Sequence, residues 1–190
     1  MPRLFVALEL PFEVKDTLSR LRMPLPGAKW VEADNLHLTL RFAGDIANPV
    51  ARELASALAR IDAEAFSLEV SGTGVFGGQS PTAIWAGATP TPQLESLQRA
   101  TERAARQAGL PAEGRSFKPH ITLARLKHTR PETVVRFLER HSRLSLAPFL
   151  VSRFVLMSAK PQSGGGPYAI EETFQLAGGF DDFSAFEDSW

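Results

Sequence analysis

Apolar and polar positions alternate with period two over residues 35–43, Asn-Leu-His-Leu-Thr-Leu-Arg-Phe-Ala. They alternate again over 119–126, Pro-His-Ile-Thr-Leu-Ala-Arg-Leu. Successive side chains of a strand point to opposite faces, so both stretches predict half-buried strands. Residues 3–10 are rich in β-forming residues and predict another. Between these runs the apolar spacing becomes helical. Val14, Leu18 and Leu21 predict a helix over 12–22, ended by Pro24, Pro26 and Gly27. Asn48-Pro49 reads as an N-cap followed by a proline at the first position of a helix over 49–61. Strands are expected near 66–76 and 82–88, split by the turn Gly77-Gly78-Gln79-Ser80-Pro81. Thr91 is positioned to cap a helix over 92–108 that Gly109 closes. A further helix over 131–141 also begins at a proline. Strands at 148–158 and 168–176 flank Gly164-Gly165-Gly166-Pro167, which reads as a hairpin turn or as a lid.

The order of elements recurs. Each half runs helix, His-x-Thr strand, helix, strand, and the two histidines of the motifs are 83 positions apart in a chain of 190 residues. A spacing near half the length points to a duplication. The expectation is an α+β fold spanning 1–179. It is bilobal, with two mostly antiparallel sheets related by a pseudo-two-fold axis, helices on the outer faces and a central cleft. Residues 180–190 follow as an acidic tail without periodicity, for which disorder is the simplest expectation.

Composition narrows the chemistry. Hydrophobic residues are 44% and charged residues 22%, ordinary values for a globular protein. With 0 cysteines, disulfides, thiolate metal sites and thiol nucleophiles are excluded. The net charge is zero, but Asp181, Asp182, Glu187 and Asp188 concentrate acid in the tail. Residues 1–179 therefore hold 21 bases and 17 acids, a net of +4. That excess suits an anionic substrate and is too weak for extended nucleic-acid binding. The apolar run at the N-terminus is short and cut by Glu9 and Pro11, so neither a secretory leader nor a membrane span is expected. A cytoplasmic monomer is the default expectation.

In each His-x-Thr strand the histidine and threonine share one face, and the intervening apolar residues share the other. His37 and Thr39 oppose Leu36, Leu38 and Leu40; His120 and Thr122 oppose Ile121 and Leu123. If the pseudo-two-fold axis brings the strands together, two imidazoles and two hydroxyls converge. Such a set suits phosphoryl transfer. A neutral imidazole takes a proton from water, a protonated one gives a proton to a leaving oxygen, and hydroxyls donate to phosphate oxygens. No carboxylate cluster accompanies the histidines, so no metal or other cofactor is expected. The plain alternative is a duplicated strand whose motifs only build the sheet.

The flanks carry a resemblance. Trp30-Val31 followed by Asn35-Leu36-His37-Leu38-Thr39-Leu40-Arg41-Phe42-Ala43-Gly44, with Phe117-Lys118-Pro119-His120-Ile121-Thr122-Leu123-Ala124-Arg125, closely resembles the two-histidine phosphoesterase superfamily. Within it, the chain is similar to the RNA 2',3'-cyclic phosphodiesterases, historically named 2'-5' RNA ligases, over roughly residues 2–176. The resemblance implies opening of a terminal 2',3'-cyclic phosphate on RNA to a 2'-phosphomonoester. It makes His37 and His120 the catalytic pair and Thr39 and Thr122 phosphate ligands. It also places Arg125 near the phosphate and Phe117 at an aromatic position able to stack the terminal base. Family practice makes the first histidine the acid and the second the base, but near-symmetry leaves the reverse open.

The remaining candidates keep two readings each. Arg125 lies five residues after His120, so on a regular strand it faces the other way and needs a bend or a long reach; the alternative is a surface ion pair. Phe117 is a base contact or a core residue. Trp30 and Tyr168 line the cleft or pack in the core, with the core favoured. Lys118 reads as a solvated flank, and His128 and His141 as exposed. Three rival functions remain: a nucleotide- or RNA-binding module without turnover, a metal site built on the two histidines, and a relative acting on another cyclic phosphate or on 2'-5' linkages. Ligation, if it occurs, would be ATP-independent reversal of ring opening.

Overall fold

The computed structural model describes residues 3–161 and 165–179. The acidic tail and Gly164 therefore lie outside the described residues.

The strands are β1 (Arg3–Glu9), β2 (Ala28–Trp30), β3 (His37–Asp45), β4 (Phe66–Leu68), β5 (Val70–Phe76), β6 (Ala83–Ala88), β7 (His120–Leu126), β8 (Phe149–Val151), β9 (Arg153–Ala159) and β10 (Ala169–Gln175). The helices are α1 (Phe12–Ser19), α2 (Asn48–Ala59), α3 (Pro92–Gln107) and α4 (Pro131–Arg140). Both His-x-Thr strands and all four expected helices are present. The expected strand at 66–76 is two short ones, β4 and β5, and that at 148–158 is likewise β8 and β9. β4 and β8 leave the main sheet to pair with each other. Their partners are remote in sequence, so local periodicity does not show the break. Asn48 is not a cap. Ala47 occupies the N-cap position without a side-chain hydrogen bond, and Asn48 is already helical. Thr91 does cap α3, its Oγ1 accepting from the Leu94 N–H at 3.1 Å.

The two expected sheets are the halves of one antiparallel sheet, ordered β10-β9-β1-β3-β7-β6-β5 with β2 on β7. They join through a single described rung, Leu38 of β3 opposite Ile121 of β7. One half combines strands from both ends of the chain, β1 and β3 with β9 and β10; the other is made of β2, β5, β6 and β7. The terminal strands close on each other because β1 is apolar on both faces and needs cover on both. Leu4, Val6 and Leu8 enter the main core. Phe5 and Ala7 form a smaller cluster on the opposite face with Val155 and Met157.

The helices cover the main-core face. α3 packs on β3, α2 on α3 and β10, and α4 on β5. Their apolar stripes follow the helical period, as with Leu94, Leu97, Thr101, Ala104 and Ala105 of α3. Leu38 and Ile121 are fully buried at the seam between the halves. Truncating either to alanine would cost about 2–5 kcal/mol in lost transfer energy and cavity. Their partners along each strand, the histidines and threonines, are left on the uncovered face.

Candidate active site

The two His-x-Thr strands share a burial pattern. Going along each from its histidine, the first five residues are half-buried, buried, half-buried, buried and buried, and the sixth is exposed. Simple alternation would put the fifth residue back on the histidine face. It does not, because each strand carries a bulge. Ala7 and Val6 pair with Thr39 and Arg41, leaving Leu40 as the extra residue. Trp85 and Ile84 pair with Thr122 and Ala124, leaving Leu123 as the extra residue. A bulge shifts every later side chain to the other face. Arg41 and Ala124 therefore turn inward, and Phe42 and Arg125 return to the histidine face. The bulge is the bend that Arg125 needed.

One cleft of about 370 Å³ is lined by His37, Thr39, His120, Thr122 and Arg125, so the two motifs do converge. Phe117 is not part of its wall; the ring is half-buried and packs on the main core. Tyr168, for which core packing was favoured, lines the cleft and meets the His37 ring edge-on at 5.1 Å. Trp30 packs against Phe137 at 5.6 Å. His128 is exposed, whereas His141 is half-buried against Phe137 at 4.7 Å. Lys118 is exposed but not merely solvated: its ammonium sits over Trp85, 4.7 Å from the ring centre.

Each imidazole is oriented by the backbone two residues earlier. His37 Nδ1 is 2.7 Å from the Asn35 carbonyl oxygen, and His120 Nδ1 is 2.6 Å from that of Lys118. A carbonyl only accepts, so Nδ1 carries the proton in both rings, and Nε2 is left for proton transfer. At His37 the Thr39 hydroxyl, 3.1 Å from Nε2, is then the donor. Each ring also has an aromatic wall. Phe5 and Tyr168 flank His37, and Phe76 and Trp85 flank His120.

Those walls set the proton affinity. Burial lowers the His37 pKa from 6.5 to about 4; the carbonyl of Asn35 opposes the shift, and the positive charges of Arg125, His120 and Lys15 add to it. Burial likewise lowers the pKa of His120, opposed by the Lys118 carbonyl and reinforced by the Lys118 ammonium. Burial thus favours the neutral form of both imidazoles, and the charge of Arg125 favours it further at His37. Among the described residues no three His, Asp or Glu side chains gather as a metal site would require. No helix among the described residues is long and apolar enough to cross a membrane.

Sequence reasoning missed several contributors. Asn35 joins two parts of the cleft: its main-chain carbonyl holds His37, and its Oδ1 accepts from the Tyr168 N–H at 3.2 Å. The same amide lies against Gly166, where a Cβ would come within 2.4 Å of Asn35 Nδ2. Arg41 is buried on the helix side. It pairs with Glu102 and donates to the carbonyls of Phe42 and Pro111. Glu102 in turn accepts from the Glu113 N–H at 3.1 Å, which braces the segment carrying Arg115 to the cleft. No local signal existed for Arg41, because alternation places it with His37 and Thr39 and only the bulge at Leu40 turns it inward. Nothing local marks Asn35, because its second partner is 133 positions away.

A bilobal α+β fold that turns two imidazoles and a cation into one groove, with helices behind the sheet, is that of a two-histidine phosphoesterase. The chain belongs to the 2'-5' RNA ligase superfamily, whose sequence model it matches over residues 10–162. It is 31% identical to the RNA 2',3'-cyclic phosphodiesterase of Thermotoga maritima over 186 residues, covering 93% of this chain and 97% of that one. It is 30% identical to the protein of the same name from Aquifex aeolicus over 155 residues, 79% of this chain and 82% of the relative. The fold is similar to that of Escherichia coli LigT in its apo form, with TM-score 0.75 and 26% identity over 92% of this chain and 98% of the other.

Proposed function

We propose that this protein is an RNA 2',3'-cyclic phosphodiesterase that opens a terminal cyclic phosphate to a 2'-phosphomonoester, with His37 and His120 as the proton-transfer pair. The observation that carries this reading is the sharing of one cleft wall by His37, Thr39, His120, Thr122 and Arg125. Relatives bearing that activity in their names cover nearly the whole chain.

In this reading the cyclic phosphate sits between the imidazoles. One Nε2 removes a proton from water as its oxygen bonds to phosphorus; the other protonates the 3'-oxygen as the P–O3' bond breaks. The resemblance makes His37 the acid and His120 the base. The Thr39 and Thr122 hydroxyls and the Arg125 guanidinium meet the non-bridging oxygens, where charge accumulates in the transition state. Burial disfavours the imidazolium in the free cleft, so the acid's proton is acquired with the substrate, whose anionic phosphate favours the charged ring. The chemistry assigned to these residues needs no metal, and the reading takes the protein as a monomer.

The test is product analysis on an oligoribonucleotide ending in a 2',3'-cyclic phosphate. A 2'-phosphate end is expected. A 3'-phosphate end, or an unopened ring at enzyme concentrations that saturate the substrate, would overturn the proposal.

A further inference from the structure

The two lobes carry their charges differently. In one lobe, β1, β3 and β10 hold Glu9, Asp45, Glu171 and Glu172. Each arginine on the strands of that lobe has a carboxylate partner: Arg3 with Asp45 at 3.9 Å, Arg41 with Glu102, and Arg153 with Glu9 at 2.8 Å. The strands of the other lobe, β2, β5, β6 and β7, contain no Asp or Glu. Lys29 of β2 and Arg125 of β7 are exposed, as is Lys127 just past the end of β7. Among the described residues none of these three makes an ion pair.

The sheet brings the three cations together. Lys29 pairs with Arg125 across β2 and β7. Residues directly opposite on neighbouring strands share a face. Trp30 and Leu126 beside them pack on the main core, so Lys29 and Arg125 are both on the cleft face. Lys127 follows the buried Leu126 and continues the alternation, its N–H donating to the Gly27 carbonyl at 2.9 Å. Gly27 permits that approach: its φ is 85°, and a Cβ there would lie 2.2 Å from the Lys127 carbonyl oxygen. Lys29 is thus opposite one cation and diagonal to another, with the backbones within about 8 Å. Like charges opposite each other on a sheet repel, and these strands hold no acid to offset the repulsion. An anion bound across them would offset it. Arg125 lines the catalytic cleft, whereas Lys29 and Lys127 lie outside its wall, so the cations lead away from the reactive groups.

We propose that Lys29 and Lys127 form a landing strip for the RNA strand that leads up to the cyclic end, each meeting a backbone phosphate upstream of it while Arg125 serves the cyclic phosphate itself. The strand leaves the cleft over the acid-free lobe, and the ion-paired face of the other lobe offers it nothing comparable. Phosphate contacts of this kind position a strand without reading its sequence. The consequence is a preference for an oligoribonucleotide end over a mononucleotide. The zero net charge of the chain conceals such a surface, because the surface depends on where the acids are missing. The inference rests on the phosphodiesterase reading for the identity of the ligand, but its test is binding and does not depend on turnover.

The experiment is calorimetric binding of a uridine hexamer with a 2'-phosphate end and of uridine 2'-monophosphate, at several potassium chloride concentrations. Wild type is compared with Lys29→Gln/Lys127→Gln and with Arg52→Gln/Arg99→Gln, which removes the same charge from exposed positions of α2 and α3. Wild type should bind the hexamer more tightly than the mononucleotide. The lysine double variant should lose about 2- to 30-fold in Kd for the hexamer, the worth of two exposed charge contacts, with the mononucleotide unchanged. Its slope of log Kd against log salt should fall by about 1.4, since each phosphate contact on a single strand contributes about 0.7. The arginine double variant should match wild type. Equal weakening of hexamer and mononucleotide would overturn the proposal by assigning the lysines to the cleft itself. An unchanged hexamer affinity and salt slope would overturn it as well, and so would an equal loss in the arginine variant, which would reduce the effect to net charge. If ring opening fails in the product assay while the lysine variant selectively loses the hexamer, the activity is wrong and the RNA surface stands.

Discussion

Acid should destabilise this protein through one buried imidazole. His37 packs between Phe5 and Tyr168, and burial brings its pKa down to about 4 from 6.5. In the unfolded chain the same ring takes up its proton near ~6.5. Between those values the unfolded state binds more protons than the folded one, so stability falls as pH falls; above 6.5 the group adds no pH dependence. A folded pKa of about 4 converts to about 3 kcal/mol lost between neutral pH and pH ~4. Against a typical total of about 5–15 kcal/mol, that is a large share. Carboxylates titrate over part of the same range, so the measurement has to be differential. Urea unfolding of wild type and His37→Gln, whose amide does not titrate, would be followed from pH 7 to pH 4. The variant should gain about 3 kcal/mol on wild type across that interval, and an NMR titration of the wild-type ring should give the low pKa directly. A stability difference that stays flat with pH would refute the argument, because it would mean that His37 is as hydrated in the folded state as in the unfolded one.

Three further outcomes are expected. His37→Ala and His120→Ala should each lower turnover of a 2',3'-cyclic phosphate by about 10²–10⁴-fold with the fold intact by circular dichroism, and the double variant should fall far short of the product of the two. The pH profile of kcat/KM should be a bell with its maximum below pH ~6.5, because burial lowers both imidazoles in the free enzyme, while that of kcat should peak at higher pH because the bound phosphate favours the imidazolium; both should survive EDTA, and a rising plateau abolished by chelation would point instead to a metal-bound nucleophile. Glu102→Ala should cost about 3–5 kcal/mol in urea unfolding, since it strands the buried guanidinium of Arg41, and a loss under ~1 kcal/mol would show that water reaches that pair.

Much of the catalytic wall follows from sequence alone. Strand period two is enough to put His37 with Thr39 and His120 with Thr122 on one side, with Leu38 and Ile121 behind them, because a core needs that apolar face. Helical spacing and the Thr91 cap likewise locate α3 without reference to anything distant. What local patterns could not contain is whatever depends on a partner far along the chain. The bulges at Leu40 and Leu123 exist only relative to β1 and β6, and they decide that Arg125 and Phe42 face the cleft. Tyr168 reaches His37 because β10 closes on β9 and Asn35 holds the Tyr168 N–H, a contact across 133 positions. Phe117 has the same residue type as Phe42 and a closer place in the motif. Tertiary packing lays the Phe117 ring, half-buried, against the core and leaves Phe42 half exposed on the cleft wall, because only the assembled sheet determines which surfaces are already filled.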